Sequence, residues 1–216
     1  MAKRIFVVSV MVLALSVMAS AAPIACDTVT SLSQLIAAGT DGCTHLDKQF
    51  NNFSYTGDSV SSINAFHEFT NGGGTQDIHG WLFSLSGGWT TGFTLSYDVT
   101  VINAPGEAIF AIKDQIDSGL TPNGTSLTDT ETVLAGGGGP YSITVSGSGV
   151  ETKQQLLSPV VTKLHTVSVF TPGGGHLASY EQQYFETPIP EPATFLLMGF
   201  GLLGVAVFGR RRAKQQ

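Results

Sequence analysis

Between Phe93 and Val101 apolar and polar residues alternate without a break. Phe93, Leu95, Tyr97, Val99 and Val101 share one side of an extended chain, and Thr94, Ser96, Asp98 and Thr100 share the other. That period of two belongs to a strand with a single buried face. Weaker copies run through 63–69, 78–85, 108–112, 126–134, 141–145, 160–170 and 177–185, and glycine clusters at 72–74, 87–88, 136–139 and 173–175 separate several of them. Short alternating segments with turn residues between them, and no helical pattern intervening, predict an all-β chain. The expected architecture is an antiparallel β-sandwich of jelly-roll type.

A short helix is expected ahead of the strands. Leu32, Leu35 and Ile36 recur at helical spacing, Ser31 is placed to cap them and Gly39 to end them. Cys26 and Cys43, the only two cysteines, flank this segment. An even count in an exported domain favours a bridge between them.

The two ends of the chain differ from the body. Lys3 and Arg4 precede an apolar stretch from Ile5 to Val17, and Ala19-Ser20-Ala21-Ala22 follows with small residues at a cleavage spacing. This is the layout of a secretory signal peptide over residues 1–21, leaving a body at 22–187. A second apolar run, 193–209, has no charge and is closed by Arg210, Arg211 and Arg212. Seventeen residues make a helix of about 25 Å, the lower limit for crossing a bilayer, and the arginines would stay on the cytoplasmic side.

Directly before that run stand Pro190, Glu191 and Pro192. A Pro-Glu-Pro tripeptide, a short helix rich in Gly and Leu and an Arg cluster, in that order over 188–212, resemble the PEP-CTERM protein-sorting tail of Gram-negative bacteria. The same tail is catalogued as an ice-binding-protein C-terminal domain. The resemblance implies recognition by an exosortase-type membrane protease, cleavage near the tripeptide, a transient membrane anchor at 193–209 and release to the cell surface or exterior. It implies nothing about ice. Residues 26–55 are similar to an N-terminal block of other exported proteins bearing this tail, a resemblance that carries no activity.

Charge narrows the functions open to the body. Charged residues are only 12% of the chain, about half the usual share. From Asp27 to Glu191 four lysines and no arginine face sixteen acidic residues, a formal charge of −12. Such a surface repels phosphate backbones, and nucleic acid is excluded as a partner.

No catalytic or cofactor motif stands out. The glycine clusters lack the Lys-Ser/Thr and the following helix of a phosphate loop, and Gly-x-Ser-x-Gly is absent. The acidic residues Asp41, Asp47, Asp58, Asp114, Asp117, Asp129 and Glu131 match no calcium loop. Of five histidines, His67 and His79 would approach each other if their strands paired, with Glu68 or Asp77 nearby. No short His-x-His spacing supports a metal there, strand packing is favoured, and no metal ligand is assigned. Trp81, Trp89 and Tyr97 lie in alternating strands and are expected in the core rather than on a sugar-binding face. The leading expectation is an exported, non-catalytic surface or extracellular-matrix protein without a cofactor. A carbohydrate- or calcium-binding module, with extracellular polysaccharide as its partner, is the second reading, and a secreted hydrolase the third.

Overall fold

The computed structural model describes residues 22–71, 77–102, 106–118, 126–135, 138–146 and 151–188. The expected signal peptide at 1–21, the Pro190-Glu191-Pro192 motif, the helix at 193–209 and Arg210 to Arg212 lie outside these residues. No helix among the described residues is long and apolar enough to cross a membrane.

The strands in chain order are β1 (Ile24–Ala25), β2 (Cys43–His45), β3 (Lys48–Thr56), β4 (Ile63–Asn71), β5 (Asp77–Trp89), β6 (Phe93–Val101), β7 (Glu107–Ser118), β8 (Ser126–Ala135), β9 (Tyr141–Ser146), β10 (Glu151–Val161), β11 (Lys163–Thr171) and β12 (Leu177–Pro188). They form a seven-stranded sheet in the order β1-β2-β3-β6-β11-β8-β9 and a five-stranded sheet in the order β10-β7-β12-β5-β4. All pairs are antiparallel except the two-residue contact of β1 with β2. After the β4–β5 hairpin the chain crosses repeatedly between the sheets, the wrapping of a jelly roll.

Strand β6 shows why the sandwich forms. It lies between β3 and β11, and its inward residues Phe93, Leu95, Tyr97 and Val99 are buried, while Val101 at its end is half-buried. The outward row is not simply solvated. Asp98 is buried to 7% exposure, because Asn52 donates to it at 2.8 Å and His165 Nδ1 lies 2.6 Å from its second oxygen.

Strand β3 departs from strict alternation. Phe50 and Phe53 are both buried although they are three residues apart. The register slips between Asn51 and Ser54, and Asn52 sits at φ 57°. A bulge there reverses which parity faces inward, and Asn is among the residues that tolerate the left-handed region. Phe53 consequently stacks on Tyr97 at 4.7 Å between ring centres.

The helix α1 (Leu32–Ala38) packs against β3 and β4 with Leu32 and Leu35 buried. The Ser31 N–H donates to Gln34 Oε1 at 3.2 Å, and Gly39, at φ 59°, takes the chain out of the helix. Cys26 and Cys43 are bonded, tying the start of the chain to β2. The loop of 17 residues gives a chain-entropy stabilisation of about 3 kcal/mol. Replacing both cysteines by serine should lower the melting temperature by about 6–12 °C in a circular-dichroism melt. An unchanged melt would show that the strands alone hold the N-terminal segment.

One expected strand is two. Residues 160–170 do not form one strand, because β10 and β11 belong to different sheets and the chain changes layer at Thr162.

Candidate functional site

Two groups of polar side chains stand out among the described residues of the interior. In the first, Glu131 of β8 is fully buried and both its oxygens are used: Gln182 donates to one at 2.8 Å and Thr166 to the other at 2.7 Å. Tyr97 donates to Gln182 Oε1 at 2.5 Å, and the Tyr184 hydroxyl donates to that of Tyr97 at 3.0 Å. Burial, reinforced by the Glu131 charge, holds the Tyr184 hydroxyl well above its ordinary value. This network pins β6 and β11 to β12, and its side chains satisfy one another.

The second group is built differently. The β4–β5 register sets His67 opposite Trp81 and Phe69 opposite His79, so both histidines point inward as diagonal neighbours. Their side chains are fully buried, and their ring centres are 5.9 Å apart. The third ring comes from the other sheet. His45, the last residue of β2, lies 4.6 Å from His67 and 5.4 Å from His79 between ring centres, with Phe69 4.8 Å away on its flank. Phe50 and Trp81 complete the wall beside His67.

Carboxylates surround the rings, though not those adjacent in sequence. Asp27, held beside Cys26, reaches His67 Nδ1 at 3.2 Å with one oxygen and His45 Nε2 at 3.4 Å with the other. Asp47 and Glu186 approach His79 Nε2 at 3.7 and 4.0 Å. Lys48, fully buried, places its ammonium against both of them, 2.6 Å from Asp47 and in direct contact with Glu186. Among the described residues, His45, His67 and His79 form one set whose ligand atoms lie within 4.8 Å of one another, and Asp47, His79 and Glu186 form another.

The protonation states follow from burial. Desolvation, with His45 adding to it, lowers the His67 imidazole to about 4, and desolvation with the Lys48 charge lowers His79 to about 3. Both rings are neutral at pH 7. Burial raises the Glu186 carboxyl to about 7 in spite of Lys48. Burial also pushes Asp47 upward, but hydrogen bonds with Lys48 and Glu107 and the Lys48 charge outweigh it and hold the group below its ordinary value. The Glu107 carboxyl is raised, first by its hydrogen bond to Asp47.

Unlike the Glu131 network, the histidine cluster leaves ring nitrogens without partners. His45 Nδ1, His67 Nε2 and both nitrogens of His79 are buried and make no hydrogen bond. Leaving a buried polar atom unmet ordinarily costs about 1–3 kcal/mol. Apolar packing does not account for four of them in one place.

Other expected residues fall as follows. Trp81, Trp89 and Tyr97 are buried, which removes them from any sugar-binding surface. Asp58 accepts a hydrogen bond from Thr91 at 2.9 Å, and Asp114 is buried. His45, Asp47 and Glu186 were not assigned to the histidine pair by sequence. A sequence signal exists for Asp27 and His45 alone, which the Cys26–Cys43 bridge brings together, each within two residues of a cysteine.

Residues 188–212 match the PEP-CTERM protein-sorting motif. No curated protein matches the chain significantly. Among solved structures, TmCBM61 in complex with β-1,4-galactotriose is similar at 15% identity, over 64% of this chain and 88% of that one, with a TM-score of 0.35. The family 11 carbohydrate-binding module from Clostridium thermocellum, in complex with a β-1,3-1,4-mixed-linked tetrasaccharide, is similar at 13% identity over 68% and 91%, with a TM-score of 0.28. The enzymatically active domain of bacteriophage CBA120 tailspike protein 4 is similar at 12% identity over 66% of this chain and 19% of that one, with a TM-score of 0.32. With every score below 0.5, the sandwich assignment rests on this chain's own sheets, and no ligand passes from those proteins to this one.

Proposed function

From a chain that carries a PEP-CTERM protein-sorting motif, we propose an exported protein that an exosortase-type membrane protease releases to the cell surface or extracellular matrix, with a non-catalytic β-sandwich as its body. The motif at 188–212 carries this reading. Pro188 is both the last residue of β12 and the first residue of the motif, so no linker separates the fold from the tail. Strand β12 is also the central strand of its sheet, and Glu186 near its end touches Lys48 of β3. The tail therefore leaves a strand that is locked on both sides.

This connection sets the geometry of processing. An extended chain covers at most about 3.3–3.6 Å per residue. Five steps separate Pro188 from Ala193, so the folded body would sit within about 18 Å of the helix that anchors it. Proline at 190 and 192 keeps the intervening peptide out of both helix and strand interiors and accessible to the protease. The disulfide fits an oxidising destination.

Changing Glu191 to Ala should leave export intact and shift the protein from the released to the membrane fraction, at full length. The test is to fractionate cells that express a body tagged in an exposed loop, with and without the exosortase. Identical fragments in both, with the tail attached, would reduce the tripeptide to a linker before an ordinary anchor.

A further inference from the structure

We propose that His45, His67 and His79 form a binding site for a divalent transition metal of the zinc class, set between the two sheets beside the Cys26–Cys43 bridge. The inference is independent of how the chain is sorted. One ring nitrogen from each histidine lies within 4.8 Å of the other two. The partners of the outer nitrogens select which ones face inward. Asp27 takes His45 Nε2 and His67 Nδ1, and the Asp47 and Glu186 carboxylates lie toward His79 Nε2. That leaves His45 Nδ1 and His67 Nε2, both buried without a hydrogen-bond partner; neither His79 nitrogen has one, and the carboxylates 3.7 and 4.0 Å from its Nε2 leave Nδ1 for the ion. A carboxylate on the far nitrogen of a ligating imidazole fixes its tautomer and raises its basicity, and here a single aspartate would serve two rings.

The adjacent acidic set is a poorer choice. Between Asp47 and Glu186 the cation is already present as the Lys48 ammonium, which contacts both carboxylates. Three imidazoles with no oxygen ligand suit zinc and its neighbours rather than calcium or magnesium, which take oxygen donors. A tetrahedral ion with bonds of about 2.0–2.1 Å holds its nitrogens roughly 3.3 Å apart, so the rings would close by at most about 1.5 Å. Water or an external donor would complete the fourth position. His45 belongs to the seven-stranded sheet and the other two rings to the five-stranded sheet, so the ion would clamp the layers together.

The test titrates ZnCl2 into the full chain, purified in detergent and stripped with a chelator, by calorimetry and by thermal melt. The expected result is one zinc ion bound per chain and a melting temperature that rises with zinc and not with calcium or magnesium. Cobalt in place of zinc should give the visible absorption of a nitrogen-ligated, four- or five-coordinate ion. His67→Gln should abolish binding. Asp27→Asn, at a side chain that is 61% exposed, should weaken it about 10–100-fold. Binding well below one equivalent in the wild type, or wild-type zinc affinity in both variants, overturns the proposal.

Discussion

Val99→Asp leaves no folded body. Val99 is fully buried on β6, opposite Phe50 of β3 and Leu164 of β11, with the second sheet closing the layer above it. A carboxylate there has no partner, and an uncompensated buried charge costs several kcal/mol against a total stability of about 5–15. The control is Val169→Asp, the same exchange at a position that is 40% exposed on β11. That variant should stay within about 1 kcal/mol of the parent, the span of strand preferences. Chemical denaturation followed by tryptophan fluorescence separates the two, since Trp81 and Trp89 are both core residues. Equal midpoints for the two variants would mean that the inward face of β6 is misassigned.

Lys48→Met is the second large effect, and its cause is electrostatic rather than steric. Removing the ammonium strands the Asp47 carboxylate beside neutral His79 and a Glu186 carboxyl that, already raised to about 7 with Lys48 present, rises further without it. Breaking one side of a buried ionic group typically costs about 3–5 kcal/mol. Neutralising the remaining acids in the same chain, with Asp47→Asn and Glu186→Gln, should recover most of that loss, because the penalty is the stranded charge and not the missing methylenes. A triple variant no more stable than Lys48→Met would show that the lysine acts through packing.

The parts of this fold that were legible in sequence are those in which one strand face is covered and the other is not. Strand β6 displays its alternation because its outward row is Thr, Ser and Asp. Strand β10 hides its identity because it is an edge strand, polar on both faces from Glu151 to Gln155 and carrying Pro159, which only an edge or a bulge accommodates. The β3 bulge at Asn51 and Asn52 likewise interrupts the period from which a strand is recognised. The Cys26–Cys43 pair and the Ser31 cap were readable because each is set by local spacing or by a count of two.

The histidine cluster was half-legible. His67 and His79 meet as the β4–β5 pairing requires, and pairing of neighbouring strands is a local expectation. His45 arrives across the interior from the opposite sheet, and Glu186 arrives from β12, more than a hundred residues further along the chain. Contacts of that kind depend on how two sheets are laid over each other, which period and composition do not encode.

Sorting by the C-terminal tail is most directly tested by intact-mass measurement of the protein recovered outside the cell. Export with exosortase cleavage predicts a single polypeptide that ends near Pro190-Glu191-Pro192, lacks the 193–212 segment and has no free thiol. A released protein whose mass still includes residues 193–212 would contradict it.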